Sequence, residues 1–248
     1  MMTLAIAVLT LNLVTLQEPT GTPKTSASQV LSKVLTHYAE AQSVSGSIKM
    51  TQSAQGVTIN IVSDLQYERP SKIYLRQERL GSKAATWLLT SDGKIFSYDN
   101  PERILGGPRH RELVSQNGND QKISDLYMAA EFSLGDLNPI LDIAISHPSR
   151  LKRLKSQWAT LKYQGQVKIG DVQVQKIAGD YREDATKAAA GTFEIYVNDA
   201  GDVVRYVTTQ RFIFPSVSKE PVEVVTTWDS TVKVSGTINP ALFKVVYP

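Results

Sequence analysis

The sequence predicts an α+β fold in which a few helices cover the concave side of a large, curved antiparallel sheet. Three observations support this fold class. Apolar and polar residues alternate with a period of two through most of the chain after Ser43, turn sequences containing Gly join the alternating segments, and helical periodicity is confined to one early and one central segment. Because few helices face a large sheet, any space between them is expected to form an apolar cavity.

Length and composition limit the classes of protein to consider. A chain of 248 residues can bury a substantial core, and 42% hydrophobic with 21% charged residues argues against disorder and against a polytopic membrane protein. The formal net charge of +3 is too small to predict nucleic-acid binding. Cysteine is absent, which excludes disulfides, Cys-ligated zinc, iron–sulfur clusters and the lipid-anchoring Cys of a bacterial lipoprotein.

Residues 1–25 predict an export signal and a flexible N-terminal segment, which leaves residues 26–248 as a single domain. The run Leu4–Leu16 is uncharged and mostly apolar, and its length suits the hydrophobic region of a secretory signal rather than a transmembrane helix. Pro19, Gly21 and Pro23 follow it as a spacer. The alternative is that Leu4–Leu16 forms a buried strand or helix of a cytoplasmic protein.

The first folded segment is predicted to be a helix from Ser26 or Ser28 to about Gln42. Apolar residues recur there at helical spacing, and either serine can cap the helix start. Strands are predicted from Ser43 to Leu89, where the apolar residues alternate with polar ones. The sequence Ser91-Asp92-Gly93-Lys94 lies between two apolar runs and predicts a hairpin turn.

The second half of the chain is predicted to contain a helical insertion and a second set of strands. Pro and Gly residues predict a basic loop over Asn100–Asn119, and short helices are expected between Ile123 and Ala144. Alternation returns from Thr160 onwards, with a hairpin turn at Asn198–Gly201. The last strand is predicted over Phe243–Tyr247.

Motifs that carry chemistry are absent from the sequence. His37, His110 and His147 have no metal-ligand spacing, and HExxH, GxSxG, GxxxxGK[ST] and a strand–helix GxGxxG do not occur, so we predict no metal, no cofactor and no catalytic residue. Asp180 and Glu183 could serve as an acid–base pair, although such a run is more often a solvated turn. The basic run Arg150–Lys155 could attract phosphates or anionic lipid head groups, although a solvated helix face is its simpler interpretation.

A family resemblance is carried by the segment from Tyr67 to Pro101 and by the end of the chain. The segment resembles the LolA/LolB lipoprotein-carrier superfamily of the bacterial periplasm, which includes outer-membrane lipoprotein-sorting proteins. The matching features are Arg69-Pro70, Ile73-Tyr74-Leu75, Ser91-Asp92-Gly93-Lys94, Phe96, Tyr98 to Pro101 and the closing stretch Asn239–Pro248.

The resemblance implies an incomplete, strongly curved antiparallel β-barrel with helices at its mouth and an apolar cavity for acyl chains. In the carriers, the Arg of Arg-Pro joins the barrel to a helical lid, so Arg69 is expected to act as a lid latch; pairing of Arg69 with a surface carboxylate is the alternative. The cavity candidates, taken from strand alternation, are Tyr74, Trp87, Leu89, Phe96, Phe193, Ile195, Tyr206, Phe212 and Trp228.

The expected function is therefore a non-enzymatic, exported carrier. Its partners would be a lipid or an acylated lipoprotein and a membrane-associated donor or acceptor protein, without nucleic acid, in the periplasm or another exported location. One alternative is a periplasmic sensor or protein-interaction module with the same half-barrel, using the loop Asn100–Asn119 as its contact surface. The other is a hydrolase that uses Asp180 or Glu183.

Overall fold

The structure is a computed structural model that describes residues 25–81, 86–99, 110–114, 122–123, 126–127, 138–182, 189–213 and 220–245. The predicted signal segment falls almost entirely on residues outside these ranges. The helices with both ends in the described part are α1 (Ala27–Ala39), α2 (Pro139–Ile145) and α3 (Pro148–Ser156), together with a short 3₁₀ helix (Pro240–Phe243). Ile123, Leu126 and Tyr127 are helical as well. No helix among the described residues is long and apolar enough to cross a membrane.

The strands form one antiparallel sheet. In chain order they are β1 (Ser43–Ala54), β2 (Val57–Glu68), β3 (Lys72–Arg79), β4 (Thr86–Asp92), β5 (Ile95–Asp99), β6 (His110–Val114), β7 (Lys162–Ile169), β8 (Val172–Asp180), β9 (Ala189–Val197), β10 (Val203–Phe212), β11 (Val222–Ser230) and β12 (Lys233–Val234).

The sheet is open and wraps around the helices. The strand order is β6-β5-β4-β3-β2-β1-β11-β10-β9-β8-β7, and β12 adds to one end of β1. Among the described strands, β6 and β7 are the two edges and do not pair with each other, so the barrel is incomplete. The predicted fold class, an α+β incomplete antiparallel barrel with helices on its concave face, is confirmed.

Side chains in two hairpins explain why the chain turns where predicted. The Asp92 carboxylate accepts hydrogen bonds from the backbone N–H groups of Lys94 (2.8 Å) and Ile95 (2.9 Å), which closes the β4–β5 turn. In the β9–β10 turn, the Asn198 side chain accepts from the Asp202 N–H at 2.9 Å. These local hydrogen bonds replace ladder bonds that the turn residues cannot make.

Helix α1 begins at a capping box. The Ser26 hydroxyl accepts a hydrogen bond from the Gln29 N–H, and the Gln29 side chain accepts one from the Ser26 N–H, so two free donors of the first turn are satisfied. The helix ends at Ala39, three residues before the predicted Gln42. Its buried stripe consists of Ala27, Val30, Leu31, Val34 and Tyr38.

Two local predictions are wrong. Strand β6 occupies part of the predicted loop Asn100–Asn119, because His110–Val114 pairs with β5. At the C-terminal end, the predicted strand Phe243–Tyr247 is replaced by the 3₁₀ helix, with residues 246–248 outside the described part. The Asn239 side chain accepts a hydrogen bond from the Ala241 N–H and caps this helix, and Pro240 suits its first position.

Candidate functional site

The concave face is defined by strand register. Leu65 pairs with Leu75 and Leu75 with Leu89, so these three share the face that the helices cover. Across β1, Met50 pairs with Trp228 and continues the same face into the second half of the sheet. Buried side chains of this face, α1 and α2 belong to one continuous apolar cluster.

Seven of the nine predicted cavity residues lie on this face and are buried. They are Trp87, Leu89, Phe96, Phe193, Ile195, Tyr206 and Trp228. Alternation therefore placed these side chains together, and their role in lining a cavity stays a prediction.

The other two predicted cavity residues, Tyr74 and Phe212, differ from these seven. Tyr74 stands between Ile73 and Leu75 and pairs with Gln66 and Thr90, which puts it on the convex face. Because neighbouring residues of a strand point to opposite faces, Tyr74 cannot share a side with Leu75, and its assignment to the cavity was wrong. Phe212, the last residue of β10, pairs with Val222 in the register that pairs Tyr206 with Trp228, so it lies at the end of the concave face and is half-buried.

Aromatic rings form a continuous stack across one half of the concave face. Trp158 stacks on Phe193 (5.1 Å between ring centroids), Phe193 stacks on Tyr206 (6.2 Å), and Tyr206 meets Trp228 edge-on (5.8 Å). The Tyr181 and Tyr206 hydroxyls share a hydrogen bond of 3.0 Å. Trp158 and Tyr181 were missed by the sequence analysis because an isolated bridge between them, rather than a long alternating strand, holds them in place.

Arg69 joins the sheet to the end of α1. Its Nε donates to the Ala41 carbonyl at 2.8 Å and its Nη2 donates to the Tyr38 carbonyl at 3.3 Å. The guanidinium also lies over the Tyr67 ring, 5.4 Å from the centroid. No carboxylate in the described part of the chain pairs with Arg69, so the contact is made to helix-end carbonyls.

Further contacts hold α1 against the β9–β10 turn and against Val232, which precedes β12. The Tyr38 hydroxyl donates to the Val232 carbonyl (3.3 Å) and accepts from the Val203 N–H (3.2 Å). His37 Nε2 lies 2.9 Å from the buried Asp202 carboxylate. Helix α1 is thus attached to the sheet by an apolar stripe and by a small number of directional polar contacts.

A groove of about 650 Å³ runs between α1 and the segment that joins α3 to β7. Leu35 lines it from α1, Leu151 from α3, and Trp158 and Leu161 from the segment that follows α3. Lys155 is the only charged side chain among the lining residues that the structure describes. Trp158 therefore faces the groove while its ring stacks on Phe193 of the concave face.

The helices α2 and α3 are tied together by a buried ion pair. Arg150 Nε donates to the Asp142 carboxylate at 2.9 Å, and both side chains are more than 90% buried. The Tyr127 hydroxyl also donates to Asp142 (3.3 Å), while the Arg150 guanidinium lies over the Tyr127 ring. Of the basic residues in the run Arg150–Lys155, only Arg150 is buried, and Lys152, Arg153 and Lys155 are exposed.

Burial of tyrosine hydroxyls makes the fold sensitive to alkaline pH. Burial raises the pKa of Tyr67 to about 12 and that of Tyr181 to about 12, and it also raises the pKa values of Tyr38 and Tyr127. Tyrosines in the unfolded chain ionise near pH 10. Between these pH values the unfolded chain has released protons that the folded chain still holds, so stability falls as the pH rises.

We expect the urea concentration at the unfolding midpoint to be constant up to about pH 9 and to fall steeply between about pH 10 and pH 12. Tyr67→Phe removes one of the ionising groups and should make this fall shallower, at the cost of the hydrogen bond from Tyr67 to the Ala144 carbonyl. A midpoint that stays constant across this range in the unmodified protein would contradict the assignment.

The described residues offer no cluster of three or more His, Asp or Glu side chains that could hold a metal ion. Asp180 ends β8, is exposed, and accepts a hydrogen bond from the Thr160 hydroxyl at 2.6 Å. Glu183, its proposed acid–base partner, lies outside the described residues.

No family model matches this sequence, and no curated protein matches it significantly. Several solved structures are similar to it. The Mycobacterium tuberculosis lipoprotein LppX is 13% identical with a TM-score of 0.44, over 86% of this chain and 97% of LppX. MucB in the Pseudomonas aeruginosa MucA/MucB complex is 13% identical with a TM-score of 0.42, over 89% of this chain and 61% of MucB.

A LolA-superfamily protein from Nitrosomonas europaea is also similar, with 8% identity, a TM-score of 0.32, and coverage of 89% of this chain and 98% of that protein. The similarity to a LolA-superfamily protein is one of fold, at an identity of 8%.

Proposed function

We propose that this protein is an exported, non-enzymatic carrier that binds a lipid, or the acyl chains of a lipoprotein, between the concave face of its sheet and its helices. The observation that carries the proposal is the groove of about 650 Å³ beside α1, whose lining is mostly apolar and includes Trp158, the first ring of the aromatic stack. Its volume lies within the usual range for small-molecule sites, about 300–1,000 Å³.

Binding by apolar contact suits a carrier. Each methylene removed from water contributes about 0.8 kcal/mol, and the attraction is non-directional, so chains of different lengths can be accepted without covalent chemistry. Helix α1 would act as a lid, and Arg69 as its latch. Hydrogen bonds from a guanidinium to carbonyls contribute about 1.5–3 kcal/mol each, enough to hold a helix and yet within reach of displacement by a bound ligand.

Export and partners belong to the same proposal. The apolar run Leu4–Leu16 supports delivery to the periplasm or another exported location, where acyl chains must be shielded from water during transfer. The partners would then be the lipid or acylated lipoprotein itself and a membrane-associated protein that gives or receives it.

Titration with a fluorescent acyl probe tests the groove. We expect saturable binding, weakened about tenfold by Leu35→Gln, because a polar amide at the groove floor removes apolar contact worth about 1.4 kcal/mol. Lys33→Gln is the matched control, since Lys33 is exposed on the same helix and does not line the groove. Equal affinities for the two variants would refute the groove as the site. Absence of any probe binding would refute the carrier and favour a protein-interaction module.

A further inference from the structure

The segment from the end of α2 to the start of β8 carries an excess of positive charge. Residues 143–170 contain six Lys and Arg side chains and no Asp or Glu. The formal net charge of the whole chain is only +3, so the rest of the chain is net negative. Positive charge is therefore concentrated in one part of the sequence, although the chain as a whole is close to neutral.

Helix α3 presents three of these charges to solvent. Lys152, Arg153 and Lys155 are exposed, and Lys152 and Lys155 are three residues apart on one helix face. Arg150 is neutralised by the Asp142 carboxylate, and Arg153 also acts electrostatically on that carboxylate. Within the described part of the chain, neither Lys152 nor Lys155 forms an ion pair with a carboxylate.

Basic side chains of the sheet are, in contrast, paired with carboxylates. The pairs are Lys72 with Glu68, Arg76 with Glu78, Lys176 with Glu194, Arg205 with Asp229, and Arg211 with Glu223. A carboxylate beside a cation cancels much of the attraction of that cation for a distant anion. The attraction of Lys152 and Lys155 is not cancelled in this way.

The charged face of α3 adjoins the groove. Leu151 and Lys155 line the groove from α3, and Lys152 lies one step further round the helix towards solvent. The α1 side of the groove contributes uncharged side chains, with hydroxyls at Ser28, Ser32 and Thr36. The Asp180 carboxylate contacts the groove lining at the Thr160 hydroxyl. Cations and a mostly apolar groove thus lie side by side on this face.

The type of cation favours an extended anionic surface over a single bound phosphate. Sites for one phosphate or carboxylate use convergent donors, such as a planar guanidinium or several backbone N–H groups. Lys152 and Lys155 are instead flexible point charges on an exposed helix face. A bilayer offers many phosphates above an apolar interior, and it therefore matches both the cations and the half-buried Leu35, Leu151 and Leu161. An acidic protein would match the cations alone.

We infer that the exposed face of α3 docks the protein on an anionic phospholipid bilayer, with Lys152, Arg153 and Lys155 against the phosphates and the groove beside the bilayer surface. The inference goes beyond the proposed function, because it does not require a lipid in the groove. It assigns a membrane contact to this chain itself, in addition to any membrane protein that gives or receives a ligand.

Vesicle flotation tests the inference. We expect the protein to bind phosphatidylcholine vesicles that contain phosphatidylglycerol, to bind phosphatidylcholine vesicles weakly, and to be released by added salt. Each lysine near an anionic surface changes affinity about fivefold, so Lys152→Gln combined with Lys155→Gln should weaken binding about 25-fold. Arginine at both positions keeps the charge and should keep the affinity within about twofold.

The matched control removes two charges elsewhere. Lys49 on β1 and Lys244 after the 3₁₀ helix are exposed, and Lys49→Gln combined with Lys244→Gln changes the net charge by the same amount. Because charges beyond a Debye length of about 8–10 Å are screened, this control should keep its vesicle affinity within about twofold.

Three results would overturn the inference. The first is equal affinity for vesicles with and without phosphatidylglycerol, or equal losses in the two pairs of glutamine variants. The second is release from the vesicles by soluble glycerol phosphate at matched ionic strength, which would indicate a discrete anion site. The third is retention on immobilised polyglutamate without vesicle binding, which would assign the face to an acidic protein. The acyl-probe titration contains no bilayer, so it decides the proposed function separately.

Discussion

Arg150→Met is expected to lower the free energy of unfolding by about 3–5 kcal/mol, because it leaves the Asp142 carboxylate buried without its cation. The methionine can fill much of the same volume, so the loss reports the unpaired charge rather than a cavity. Equilibrium unfolding in urea at neutral pH measures the change.

A double variant separates charge from packing. Asp142→Leu combined with Arg150→Met removes both charges and should recover most of the loss, since apolar residues can replace a buried ion pair at little cost. Lys152→Met, on the exposed face of the same helix, is the control and should change stability by less than about 0.5 kcal/mol. A single-variant loss no larger than that of Lys152→Met would contradict the buried pair.

Arg69→Met is expected to destabilise the protein by about 2–4 kcal/mol and to release the C-terminal end of α1. The substitution removes the hydrogen bonds to the Tyr38 and Ala41 carbonyls, which are otherwise left without this charged donor. Hydrogen exchange should therefore speed up in α1 more than in the central strands β1 and β2. Equilibrium unfolding combined with exchange mass spectrometry measures both effects.

Arg76 is the matched control for Arg69, because its ion pair lies at the protein surface. Arg76 pairs with Glu78 on the convex face, where both side chains are about 39% exposed, so Arg76→Met should cost less than about 1 kcal/mol. Arg69→Lys keeps the positive charge but lacks the planar guanidinium that donates to both carbonyls. We therefore expect its loss of stability to lie between those of Arg69→Met and the unmodified protein. Exchange in α1 that is as slow in Arg69→Met as in Arg76→Met would show that Arg69 does not latch the helix.

Elements with strong local signals were predictable from the sequence. The capping box at Ser26 and the apolar stripe of α1 depend on residues three or four apart, and the Asp92 turn depends on neighbours two and three residues away. Alternation also placed most of the aromatic residues on one face. The prediction for Tyr74 was wrong because its neighbours Ile73 and Leu75 occupy the inward positions of β3, which leaves Tyr74 on the opposite face.

The sequence-based predictions fail where contacts between distant parts of the chain determine the structure. The residues of strand β6, His110–Val114, show no clear alternation of polar and apolar residues. They form a strand because β5 offers a free edge to pair with. Arg150 lies in a run that is typical of a solvated helix face, and only the packing of α3 on α2 brings it to Asp142. Trp158 likewise gains its position from contacts with Phe193 and Tyr181, which follow it in the chain by more than twenty residues.

Bound lipid in the purified protein tests the central claim most directly. The protein should be purified from its native compartment without detergent, extracted with organic solvent, and analysed by mass spectrometry together with an equal amount of unrelated protein as the control. We predict acyl lipid at a nearly stoichiometric amount. Repeated extracts that contain no more lipid than the control, from protein that also fails to bind the acyl probe, would contradict a carrier function.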